Sequence, residues 1–130
     1  MAAPTLRVAR AATDLDALLP FYVEGLGFDV LGRFADHDGF DGLMLGHPNA
    51  PWHLEFTRHG DAPAPPPPGP ESLLVLYLPD PGDWRAATER MARAGFPPVD
   101  AANPYWDARG RTYADPEGWR TVLQNAAWTT

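Results

Sequence analysis

In Asn103-Pro-Tyr-Trp-Asp-Ala-Arg-Gly-Arg-Thr-Tyr-Ala-Asp-Pro-Glu-Gly-Trp-Arg-Thr-Val-Leu-Gln124, a polar, aromatic turn runs into two strand-forming stretches joined by Asp115-Pro-Glu-Gly118. The stretches Arg111 to Ala114 and Trp119 to Gln124 are expected to pair as a hairpin. Pro116 presets φ at the second turn position, and Gly118 accepts the positive φ that closes the return. Strand alternation puts Trp119, Thr121 and Leu123 on one face of the last strand and Arg120, Val122 and Gln124 on the other. The second face mixes charge, amide and aliphatic groups, as the lining of a ligand cavity does.

Upstream, Ser72 to Leu78 reads as a continuous apolar strand. Pro81 to Ala94 reads as a helix with Trp84, Ala87, Met91 and Ala94 on one face, stopped by Gly95, and a short strand is expected around Val99. The first half shows the same order. Thr5 to Ala11 is a strand, with Leu6 and Val8 on one face and Arg7 and Ala9 on the other. A helix capped by Thr13 or Asp14 follows, with Leu15, Leu18, Leu19 and Tyr22 at helical spacing. Pro20 inside it removes a backbone hydrogen bond and predicts a kink, and Gly25 and Gly27 end it. Strands are expected at Phe28 to Phe34, Gly42 to Gly46 and Trp52 to Arg58, with a hairpin turn across Ala35 to Gly42. Gly60 to Glu71 is almost all Pro, Ala and Gly and reads as an extended, semi-rigid linker. Leu26-Gly27-Phe28 is echoed by Ala94-Gly95-Phe96, so an internal duplication of a βαβββ unit accounts for the whole order.

The 130 residues suit one domain, and 45% hydrophobic content supplies a core. A net charge of −7 argues against nucleic-acid or anionic-membrane partners, which need a basic surface. The absence of cysteine excludes disulfides, thiolate chemistry and Cys-ligated zinc. No signal-like or membrane-spanning apolar run is present, so a cytoplasmic location is expected.

The duplication, together with Asp14-Leu-Asp-Ala-Leu-Leu-Pro-Phe-Tyr-Val-Glu-Gly-Leu-Gly-Phe28 and the closing Asp115-Pro-Glu-Gly118, resembles the vicinal oxygen chelate superfamily. This groups glyoxalases, bleomycin-resistance proteins and extradiol dioxygenases, and the likeness spans nearly the whole chain. The resemblance implies an α+β fold of tandem βαβββ modules forming a cupped mixed sheet. The modules would span 5–58 and 72–125, with the linker at 59–71, in a homodimer. Metal-dependent members of such a family place one ligand on the first and one on the last strand of each module. The matching positions here are Arg7, Glu55, Leu73 and Val122. A guanidinium has no free lone pair and aliphatic side chains cannot coordinate, so neither a metal nor another cofactor is expected.

Arg7 and Glu55 are instead expected to form an ion pair on the cup face, either contacting ligand or simply satisfying a buried carboxylate. His53 lies two residues before Glu55 on the same strand face. Candidate ligand contacts are these three together with His37, Phe40, Trp52, Tyr77, Tyr105, Trp106 and Arg120, because aromatic rings stack on planar ligands and polar tips orient them. Trp84 and Trp119, on helix-facing phases, are expected in the core or at a dimer interface. The resemblance points to a metal-free protein that sequesters a bulky planar or aromatic natural product, such as an antitumour antibiotic, with no catalytic residue. The alternative is a metal-independent lyase, isomerase or hydrolase using Glu55 or His53 as general base.

Overall fold

A computed structural model describes residues 2–129. The first module contributes β1 (Leu6–Ala11), β2 (Asp29–His37), β3 (Phe40–Gly46) and β4 (Trp52–His59), hydrogen-bonded in the order β1-β4-β3-β2. The second contributes β5 (Leu73–Tyr77), β6 (Gly110–Ala114) and β7 (Arg120–Gln124), in the order β5-β7-β6. In each sheet the first strand runs parallel to the last and the remaining pairs are antiparallel, which makes both sheets mixed. The two sheets are not hydrogen-bonded to one another, so the expected cupped sheet is two sheets. Val99 forms an isolated bridge to Thr112 rather than a full strand, and this leaves the second module one strand short of its counterpart.

The helical segment of the first module differs from the α-helix its spacing suggests. Asp16–Leu18 is a 3-10 turn, and Pro20–Gly25 is π-helical, with the Leu26 amide donating to the Phe21 carbonyl at 2.9 Å. Pro20 has no amide to donate, so an α ladder cannot run through it, and the chain widens to the five-residue spacing. Adjacent Phe21 and Tyr22 thereby both turn inward, 0% and 1% exposed, whereas Leu19 of the expected stripe is only partly buried. Asp14 accepts from the Ala17 amide at 3.3 Å, and Gly27 ends the segment with φ of 76°. In the second module α1 (Pro81–Arg93) is regular, with the Asp80 carboxylate accepting from the Asp83 amide at 2.8 Å.

The hairpin between β2 and β3 is tighter than the loop expected at 35–42. Asp38 and Gly39 form the turn with φ of 52° and 84°, the double positive φ that matches strand twist, and the strands extend up to it. Asn103–Arg109, expected as a turn, contains the short helix α2 (Tyr105–Ala108) packed beside β6.

One core joins the modules: Leu18, Phe21, Tyr22, Leu43, Leu45 and Phe56 from the first pack with Ala87, Met91, Tyr113 and Leu123 from the second. Each Leu, Phe and Met side chain among them contributes roughly 1.5–3 kcal/mol by leaving water. Phe21 stands edge-on to Tyr22 and to Phe96, with ring centroids 4.8 and 5.0 Å apart. Ladder register then assigns the faces of the first sheet. Leu54 and Phe56 with Leu43 and Leu45 face this core, so Arg7, His53, Glu55 and Met44 lie on the opposite, open face.

Candidate ligand-binding site

Arg7 on β1 is registered against His53 on β4, and Glu55 is two residues further along the same face. The Arg7 Nε donates to His53 Nε2 at 2.8 Å, and its Nη1 donates to Glu55 Oε2 at 3.2 Å. His53 Nε2 is the acceptor of the first of these contacts. Half of the Arg7 side chain remains exposed, while Glu55 retains 16% exposure. The cluster is thus a fixed guanidinium between two acceptors on an otherwise open sheet face.

This donor set does not fit the divalent metal that the superfamily implies. Arg7 already engages the lone pairs of His53 Nε2 and Glu55 Oε2, and the matching second-module positions, Leu73 and Val122, have no donor atoms. No group of three potential metal-ligating side chains occurs among the described residues. The same contacts weigh against a base at this site, because His53 Nε2 and Glu55 Oε2 both already accept from Arg7.

Two of the expected aromatic contacts meet elsewhere. Trp52 has the opposite parity to His53 and points to the core side, where its ring stands edge-on to Phe28 at 5.4 Å and lies 6.0 Å from His47. Tyr77, at the end of β5, is 38% exposed. Phe28, His47, Trp52 and Tyr77 line an open groove of about 610 Å³ between the modules, with Asp83 and Arg90 of α1 also bordering it. The Arg90 guanidinium is turned to the Gly25 and Leu26 carbonyls, at 2.9 and 3.2 Å, where it caps the π-helical turn. The volume lies within the range of small-molecule sites, and the aromatic walls suit stacking.

The remaining candidates are dispersed. His37 and Phe40 sit at the far hairpin. Phe40 stacks on His59 at 4.3 Å, and its register position is six residues along β4 from that of Arg7, roughly 20 Å away. Tyr105 and Trp106 are on α2, edge-to-face at 5.0 Å. Arg120 donates to the Asp100 carbonyl at 2.9 Å and lines a separate chamber.

That chamber contains the residue sequence reasoning missed. Arg10, on the Leu6–Val8 face of β1, is sandwiched between the rings of Phe56 and Trp119 at 4.6 and 4.7 Å. It is ion-paired with Asp115 and lies 3.6 Å from Glu117. Trp119 is therefore a partner of Arg10 at the seam, beyond the purely structural place expected for it. The signal was the parity of β1: continuing Leu6 and Val8 puts an arginine at the next inward position, where a buried charge requires a partner.

The chain matches the YycE-like N-terminal domain over residues 6–57 and the YycE-like C-terminal domain over 71–125. It belongs to the YycE-like family. The YycE protein of Bacillus subtilis (strain 168), itself described as uncharacterised, is 42% identical over 124 residues, covering 95% of this chain and 89% of the relative. A crystal structure of a Bacillus subtilis YycE protein of unknown function, grouped with glyoxalase and fosfomycin resistance proteins, superposes with a TM-score of 0.89. It is 41% identical over 98% of this chain and 93% of that one. The trypanothione-dependent glyoxalase I of Leishmania major (TM-score 0.74, 19% identity, 96% and 88% coverage) shares the fold. So does TnmS3, an antibiotic-binding protein of Streptomyces sp. CB03234 (TM-score 0.62, 21% identity, 95% of each chain). The YycE-like chain is therefore a vicinal oxygen chelate protein of α+β class. Among its described residues no helix is long and apolar enough to cross a membrane.

Proposed function

We propose that this YycE-like protein binds and sequesters a neutral or cationic planar aromatic small molecule, of the kind against which resistance proteins act, without chemically altering it. The observation that carries this reading is the 610 Å³ groove walled by Phe28, His47, Trp52 and Tyr77. The net charge of −7 disfavours anionic ligands, although the bias is weak at cellular salt. Arg7 supports binding over turnover, because it holds both nearby groups that a metal-free enzyme would use as base. We further propose a homodimer in which a second copy covers the open face of the first sheet. Exposed Leu31, beside Gly46 on that face, supplies an apolar contact for it, and a monomeric mass in solution scattering at high protein concentration rules it out.

The test is a titration with planar aromatic antibiotics followed by tryptophan fluorescence, and recovery of the ligand after denaturation. Quenching that is lost in Trp52→Ala, with the compound recovered intact, is expected. A compound recovered in altered form means catalysis instead.

A further inference from the structure

Trp128 lies outside the core cluster, and at 72% exposure it is the most exposed of the large apolar side chains among the described residues. A ring of that size left in water forgoes the burial in which tryptophan contributes most. Its neighbour shows where that burial is regained. The Trp128 ring centroid lies 6.4 Å from that of Tyr77, with the planes tilted by 44°. This is within aromatic pairing range but neither stacked nor edge-on, so both rings keep open surface. Tyr77 is 38% exposed and is itself a wall of the groove that also holds Phe28, His47 and Trp52. Aromatic surface therefore continues from the groove, over Tyr77, to Trp128.

The segment that carries Trp128 is fastened to the rim of the groove. The Leu78 amide donates to the Gln124 carbonyl at 2.8 Å, and the Asn125 side-chain amide donates to the Leu78 and Pro79 carbonyls at 2.9 and 3.4 Å. Leu78 lines the groove beside Tyr77. The Ala126 amide turns back to the Gln124 carbonyl at 2.9 Å, and residues 127–129 make no hydrogen bond among the described residues. Three residues of chain span at most about 10 Å, so the fastening at Asn125 keeps the indole beside Tyr77 and Leu78 while its ring is free to reorient. A ring tethered this closely gives up little further freedom on closing over a ligand.

Resting on the groove reading given above, we infer that Trp128 is a further ligand-contacting residue of that site. Its indole closes over a planar aromatic compound seated against Tyr77 and supplies the outer stacking face that the open groove lacks.

Proflavine, a planar tricyclic cation, is the probe. Its affinity for the intact protein is measured by calorimetry, and hydroxyl-radical footprinting read by mass spectrometry reports the exposure of Trp128 with and without it. Trp128→Ala is expected to weaken proflavine binding roughly tenfold, with Trp128→Phe recovering most of the loss and the melting temperature unchanged in both. In the wild-type protein Trp128 is expected to oxidise freely and to become protected once proflavine is bound. Binding that is lost in Trp52→Ala but equal in wild type and Trp128→Ala, or Trp128 oxidised at the same rate in the bound state, overturns the inference and leaves the groove reading standing. No binding by the wild-type protein, or binding indifferent to Trp52→Ala, removes the groove reading and this inference with it. Protection of Trp128 without proflavine that grows with protein concentration assigns the ring to a contact between copies and also overturns the inference.

Discussion

Asp115 concentrates more of the structure than any other single side chain discussed above. Its Oδ1 accepts from the Glu117 and Trp119 amides at 2.8 and 3.0 Å and so builds its own turn. Its Oδ2 accepts from the Tyr22 hydroxyl at 2.7 Å and from Arg10, both in the other module. The pair with Arg10 is almost wholly buried, at 0% and 7% side-chain exposure. Removing one partner of such a pair strands the other charge, so Asp115→Ala is expected to cost about 3–5 kcal/mol in urea unfolding. Arg7→Met, at a half-exposed pair, is expected to cost under about 1 kcal/mol by the same measurement. Tyr22 adds a pH dependence. Burial, reinforced by the Asp115 charge, pushes its hydroxyl far above the ordinary tyrosine value, and burial raises Tyr113 as well. The unfolded chain therefore loses these protons first as pH rises past about 10, while the folded chain keeps them. Stability is full below that pH and declines above it, and Tyr22→Phe should flatten the decline in denaturant titrations at pH values on either side of 10. An unchanged slope would show that Tyr22 is not the titrating group. None of this was readable from spacing, since Tyr22 and Asp115 are 93 residues apart. The two motifs that carried the family resemblance turn out to touch, which explains structurally why the helix and the hairpin have the residues they do.

Among the elements, strands and caps were the legible part. Alternation and, for β5, a continuous apolar run located β1, β4, β5 and β7 to within about two residues, and Asp80, Gly27 and Gly95 stand at helix ends as their chemistry requires. What spacing could not show was the kind of helix before Gly27. Apolar residues at i, i+3 and i+4 fit an α-helix, whereas Pro20 selects the 3-10 and π turns that bring Phe21 inward. Nor does Tyr-Trp-Asp-Ala at 105–108 contain a full period, so one helical turn there looks the same as a loop. Of the candidate site, Arg7 and Glu55 came from the resemblance and His53 from strand parity, but the meeting of Trp52 and Tyr77 in one groove depended on how the modules pack. The closing turn offers the sharpest test at this scale. Gly118 has φ of 89°, and a Cβ there would lie 3.0 Å from Pro67 Cγ in the linker. Gly118→Ala should therefore lower stability by about 1–2 kcal/mol, from the left-handed backbone and the crowding together, measured by thermal unfolding.

At the scale of the molecule, the linker, the shared core and the Asp115 lock decide whether the two modules behave as one unit. The core cluster draws on both halves, so each module alone would expose Phe21, Tyr22 or Met91 and leave Arg10 or Asp115 unpaired. The halves 2–58 and 72–129 are accordingly expected to be unfolded separately and to gain structure when mixed. The linker makes its own contacts: the Ala64 amide donates to Thr13 Oγ1 at 3.0 Å, and Pro67 lies against Gly118. Its role is therefore more than connection, and the two contributions separate by size. Lengthening a flexible loop twofold costs only about 0.6 kcal/mol in closure entropy. Replacing a proline in a compatible conformation costs roughly 0.4–1 kcal/mol at each position through the unfolded chain. Substituting Pro65 to Pro68 with Gly and Ser at constant length should thus destabilise more than inserting a second Gly/Ser segment of equal length beside the intact prolines. Both variants should still unfold in one transition, monitored together by far-UV dichroism and tryptophan fluorescence. If the two signals separate in the substituted variant, the proline run is itself part of what couples the modules, and the core and Asp115 are insufficient to do so.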